Sequence, residues 1–184
     1  MTAKDEYENV LKKQVKKTRE FVFRGKPKNE AEYEVLRELY EDDCENGFIY
    51  GSLVVDYNKY YICVMAIQVR SGIDKYITTI IEVFPETVGE YTGLKDKNDK
   101  MIFEGDIVKN KWCFIKGNSI VRFGEYKSCD SSNDYQCGHL GFYLEHINDF
   151  NKRVFRKDIM YFANKCEIIG NVFDNPELLR SETE

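Results

Sequence analysis

Four residues in the stretch SCDSSNDYQCGHLGFYLEHI are of the types that hold a transition metal: Cys129, Cys137, His139 and His146. Two thiolates and two imidazoles would satisfy a tetrahedral zinc ion. Their spacing, Cys-x7-Cys-x-His-x6-His, lacks the Cys-x2-Cys knuckle that wraps such an ion. A polar surface loop with incidental thiols is therefore the expectation, and a metal site the alternative. A second pair, Glu104 and Asp106, flanks Gly105, and in an extended chain residues i and i+2 share a face. Two carboxylates so placed could share a cation or a proton. No base or nucleophile stands beside them in the sequence, and Gly-Asp ahead of an apolar run is ordinary turn chemistry. A third group, Lys12, Lys13, Lys16, Lys17 and Arg19, could contact phosphates, each contact adding a salt-sensitive increment to nucleic-acid affinity. Lysines on the outer side of an amphipathic helix are more often simply solvated. The sequence holds no Gly-rich phosphate loop, no Gly-x-Ser-x-Gly and no His-Glu-x-x-His. A non-enzymatic protein without a cofactor is expected.

Charge narrows the partners. The net charge of −5 disfavours a general positive coat for nucleic acid. Residues 1–28 carry nine Lys/Arg against four Asp/Glu, whereas residues 29–56 carry one Arg against nine Asp/Glu. A basic block followed by an acidic one can satisfy itself within a chain or between chains, so a homo-oligomer is expected, with nucleic acid as a further possible partner. No apolar run approaches the ~20 residues of a membrane-spanning helix. The first residues, MTAKDEYENVLKKQVKK, are charged from the fourth onward and lack the apolar region of a signal peptide. A cytoplasmic protein is expected, with Cys44, Cys63, Cys113, Cys129, Cys137 and Cys166 as thiols.

The elements that must position these residues follow from periodicity. Tyr7, Val10, Leu11, Val15 and Thr18 recur at three- and four-residue steps, which predicts a helix with the lysines opposite. Asn29, with Glu32 three residues on, reads as the cap of a second helix whose apolar face is Val35, Leu36, Leu39 and Tyr40. After Gly47 the period changes. FIYGSLVV, YYICVMAIQV and YITTIIEVF are strand-like runs separated by turn residues, and GDIVKNKW, NSIVRFGEY, GFYLEHI and CEIIGNVF continue the pattern. Between them LKDKNDKMIF reads as a hairpin turning at Asn98-Asp99, with Leu94 and Ile102 on the core side and Asp99 left-handed. Gly105 lets the chain bend again, and Asp106 can accept bonds from the amides that follow it.

The blocks FVFRGK, FIYGSLVV, ETVGEYTGLKDKNDKMIFEGDIV and IIGNVFDNPELL resemble the YopX family of bacteriophage and prophage proteins. The resemblance implies several coiled antiparallel sheets with an SH3-like small barrel, and no established activity. Gly93, Gly105, Asp106, Gly170, Asn175 and Pro176 are the family-signature positions it maps onto this chain. Asp99 stands where the family usually has glycine, and residues 27–46 form an acidic insertion between FRGK and YGSL. The expected fold is thus α+β and mainly β: coiled antiparallel sheets with an SH3-like small barrel, preceded by an N-terminal helical segment. Residues 1–46 are expected as a helical extension and 47–184 as the β domain. The expected role is that of a non-catalytic, self-associating accessory protein that binds an unknown phage or host protein.

Overall fold

The structure, a computed structural model, describes residues 21–39, 44–70, 73–110, 117–129, 136–148, 153–161 and 163–179. It is mostly β, with one α-helix and two antiparallel sheets among the described residues. Strand β1 (Phe23–Gly25) precedes helix α1 (Glu30–Leu39). Then come β2 (Cys44–Glu45), β3 (Phe48–Asp56), β4 (Lys59–Arg70), β5 (Ile73–Val83), β6 (Gly89–Lys95) and β7 (Met101–Phe103). These form the first sheet, in the order β5-β4-β3-β1-β6-β7 with β2 alongside β3. The second sheet takes β8 (Asp106–Asn110), β9 (Gly117–Cys129), β10 (Gln136–Asn148), β11 (Arg153–Asp158) and β12 (Glu167–Asn171), in the order β11-β10-β9-β8-β12. Among the described residues these strands leave the second sheet open, so no closed barrel is formed.

Asn29 caps α1 as its type requires: its Oδ1 accepts the Ala31 amide at 3.0 Å. The helix rests on the first sheet through Leu36, which is buried, and Tyr33, which packs against the same core. Val35, placed on the apolar face by sequence, is instead exposed. Residues three apart, Tyr33 and Leu36, define the contact, and the Tyr33 hydroxyl accepts the Gly47 amide at 3.0 Å, which pins the helix over the turn into β3. Ile49, Ile62, Val64, Ile81 and Val83 supply the sheet side of this core. Strand β1 lies inside the first sheet, between β3 and β6, so the sheet draws on residues from both sides of position 46.

The second core gathers Val108, Val121, Leu144, Ile159, Ala163 and Cys166, together with Ile102 from β7. Strand β7 is therefore hydrogen-bonded into one sheet and packed into the core of the other. The 96–100 hairpin behaves as its chemistry predicts, with one shift. The Asp99 amide donates to the Asp96 carbonyl at 3.1 Å, so Lys97-Asn98 are the central pair and Asp99 is the left-handed residue after them, at φ 63°. Leu94 and Ile102 do pack into the second core on either side of the turn. No helix among the described residues is long and apolar enough to cross a membrane.

Candidate functional site

The densest polar chemistry lies where the two sheets meet. Arg24, in the middle of β1, and Asp106, the first residue of β8, form a buried ion pair: Nη1 stands 2.6 Å from Oδ1, with side chains 6% and 1% exposed. Arg24 Nη2 also donates to the Glu104 carbonyl at 3.1 Å, and Asp106 Oδ2 accepts the Phe103 amide at 2.8 Å. The guanidinium is sandwiched between aromatic rings, 4.6 Å from the Phe48 centroid and 5.0 Å from that of Phe103. Its Nε has no hydrogen-bond partner among the described residues. Burial pushes the Asp106 carboxyl above its ordinary range, against the opposing pull of Arg24 and the Phe103 amide. Burial also raises the nearby Tyr50 hydroxyl to about 12.

A second layer closes over this pair. Lys26, just past the end of β1 and two residues beyond Arg24, is ion-paired with Asp174 and lies 5.0 Å from the Phe48 ring. Asp174 is held by the turn after β12: Asn171 Oδ1 accepts the amides of Phe173 and Asp174 at 3.0 Å, and Asn171 Nδ2 donates to Asp174 Oδ2 at 2.9 Å. Phe173 meets Phe48 at 6.5 Å between centroids. Gly105 makes the approach possible. It sits at φ 82°, its amide donates to the Val121 carbonyl, its carbonyl accepts the Val172 amide, and Phe173 lies 3.3 Å from where a Cβ would be. At Gly170 a Cβ would fall 2.4 Å from Asn175 Oδ1, so only glycine lets Asn175 fold back over β12.

Asp96 is the third joint. Buried at the end of β6, it accepts the amides of Asn98 at 2.7 Å and Lys100 at 3.0 Å on Oδ1, and that of Ile168 at 3.1 Å on Oδ2. One carboxylate thus closes its own hairpin and ties it to β12. Burial raises its proton affinity, but these three amides outweigh burial and the carboxyl lies below its ordinary value.

Arg24, Lys26, Phe48, Gly105, Asp106, Gly170 and Asn175 come from four separate blocks of sequence and meet at one joint. The description "YopX protein" matches residues 22–180, across all four blocks. The chain belongs to the YopX family. No curated protein matches it. Among solved structures, it is similar to protein EF1440 from Enterococcus faecalis, with 22% identity, 70% of this chain and 86% of that chain covered, and a TM-score of 0.37.

Other residues singled out by sequence fare differently in this YopX chain. Glu104 and Asp106 do not act as a pair. Asp106 turns inward to Arg24, while Glu104 Oε1 accepts the Phe123 amide at 3.3 Å, burial raising its proton affinity. Their missing basic partner, Arg24, comes from a strand more than eighty residues away, within the FRGK block. Cys129, Cys137, His139 and His146 lie in the β9–β10 ribbon, not in a loop. Cys137 stands opposite Ser128 and Cys129 opposite Gln136. His139 and His146 are on the same strand with unbroken register, seven residues and therefore about 23 Å apart. One ion cannot bind both. His139 stacks on Tyr126 at 5.2 Å. Gly93 has a left-handed backbone at φ 79°, and Pro176 opens a 3-10 turn, Pro176–Leu179. Lys12, Lys13, Lys16, Lys17 and Arg19 lie outside the described residues. Cys44, Cys63 and Cys166 are thiols outside any disulfide, and burial lifts that of Cys166 to about 11.

Proposed function

We propose that this YopX protein is a phage or prophage accessory protein that works without catalysis, by self-association and by binding a macromolecular partner in the bacterial cytoplasm. The observation that carries the reading is the use made of polar side chains at this joint. Arg24, Lys26, Asp106, Asn171, Asp174 and Asn175 engage one another and backbone amides in a closed joint. Catalytic groups must face a space where a substrate can sit, and these face each other. These side chains accordingly hold a shape, and a fixed shape is what an assembling protein needs.

Two features support the finer parts of this reading. Strands β8 to β11 form a meander, and β12 returns through 3-10 turns to lie beside β8. That connectivity is the one expected of an SH3-like barrel laid open at one seam. The basic and acidic blocks of the first 56 residues are the charge pattern expected of contacts between copies, though exposed pairs contribute only ~0.2 to 1 kcal/mol each.

The test is the molar mass of the full chain in solution by light scattering, at about 0.1 and 0.5 M salt, where screening lengths differ about twofold. A defined oligomer is expected. A monomer at micromolar concentration in both salts overturns self-association. Tight binding of DNA or RNA by the full chain, weakened by Lys→Gln changes at 12, 13, 16 and 17, replaces the protein partner with nucleic acid.

A further inference from the structure

A sheet edge presents unpaired N–H and C=O groups, and a long flat edge without proline is a ready template for another strand. Of the five strands that pair on one side only among the described residues, β2 has two residues, β7 has three, β12 has five and a register shift at Gly170, and β11 has six. Strand β5 has eleven, IDKYITTIIEV, with neither Gly nor Pro. On its inner side it is paired with β4 along its whole length. On its outer side, described residues cover the C-terminal end. Lys28 donates its amide to the Glu82 carbonyl at 3.0 Å, the Phe84 amide donates to the Lys26 carbonyl at 2.9 Å, and Pro27 bridges Val83.

These bonds fix which backbone groups point outward. Residues 82 and 84 face the outer edge, so by strand alternation do 74, 76, 78 and 80. No strand among the described residues pairs with them. Among the described residues the edge is thus unpaired from Ile73 to Ile81, bounded by the β4–β5 connection at one end and by Lys26–Lys28 at the other.

We infer that this edge pairs antiparallel with β5 of a second copy, about a two-fold axis at Ile77. The inference rests on the self-association proposed above and names its surface. Symmetry and charge select the register. A two-fold normal to the sheet places residues of equal parity opposite each other, and the free segment 73–81 is centred on Ile77. A centre at Thr78 would set Asp74 against Glu82, a like-charge opposition that costs energy. A centre at Thr79 would need the part of β5 already covered by Pro27. With the centre at Ile77, Asp74 faces Ile80, Tyr76 faces Thr78, and about eight backbone hydrogen bonds join the copies. The two first sheets become one.

Two variants of the full chain test this. Thr78 is exposed and its N–H points outward, so Thr78→Pro removes donors to the second copy while leaving the β4 ladder intact. Ile77→Cys places two thiols at a non-hydrogen-bonded pair with Cα atoms about 4.5 Å apart, within disulfide reach. Ile80→Cys places its two thiols about 20 Å apart. Expected are a wild-type dimer by light scattering, a Thr78→Pro monomer with unchanged circular dichroism, and oxidative cross-linking of Ile77→Cys well above both wild type and Ile80→Cys. A wild-type oligomer that Thr78→Pro leaves intact and Ile77→Cys does not trap overturns the edge while sparing self-association. A monomeric wild type overturns both. If Thr78→Pro fails to fold, the contrast between the two cysteine variants decides.

Discussion

Arg24 and Asp106 are two charges removed from water, and their contact is stabilising only while both are present. Removing one leaves the other buried and unpaired, which costs about 3 to 5 kcal/mol. Replacing both by apolar groups of similar volume is often close to neutral. Arg24→Met and Asp106→Leu should therefore each lower the urea midpoint sharply, and the double variant should recover much of the loss. The Phe103 amide, deprived of Asp106 Oδ2, keeps that recovery incomplete. Strict additivity of the two losses would show that the pair does not act as a unit. Asp96 gives a pH-dependent counterpart. Its folded-state carboxyl lies below the ordinary 3.8 because three amides bond to the ionised form. Its contribution is fully present above that value and is lost as pH falls through the lower folded value. Asp96→Asn should lower stability by about 1 to 3 kcal/mol at neutral pH and flatten the acid limb of the stability curve below about pH 4. An unchanged acid limb would place the linkage elsewhere.

At the scale of elements, the 96–100 hairpin stores a small strain at Asp99, a non-glycine residue at φ 63°. Asp99→Gly relieves it and should stabilise the protein by about 1 kcal/mol or somewhat less, since glycine also gives the unfolded chain more freedom. Its thermal midpoint should rise, and a fall would mean that the Asp99 side chain supports the turn. This hairpin was legible in the sequence because everything that shapes it is local: Asn, Asp and Lys between Leu94 and Ile102. The Asn29 cap was legible for the same reason. Strand β1 was not, because three residues are too few to show a period and its position is decided by pairing with Gly51 and Glu90, far along the chain. The extension of β9 and β10 through Cys129 and Cys137 was also missed. There the described residues of the two strands pair with each other alone, and the sequence around them, KSCDSSNDYQCG, shows no apolar alternation. The chemistry of the joint was missed for a third reason. The FEGD block has no basic residue of its own, and only the fold brings Arg24 to Asp106.

For the whole molecule, these joints bear on whether it unfolds as one unit or two. The sheets have separate cores, one under α1 and one around Val121 and Leu144, and separate cores can melt separately. Yet the second core includes Ile102 from a strand of the first sheet, Asp96 bonds Ile168 in β12, and Arg24 of β1 and Lys26 just after it hold Asp106 and Asp174. Each link carries a separate penalty if only one sheet opens: an exposed core residue, an unbonded carboxylate and an unpaired buried charge. Opening either sheet alone therefore forfeits contacts that belong to the other, which favours a single cooperative transition. Hydrogen exchange should show the amides of β3 and β9 opening with similar free energies, and Arg24→Met should lower protection in both by the same amount. A loss confined to β3 would make the joint a local clamp and the second sheet an independent folding unit, to which the first is merely tethered.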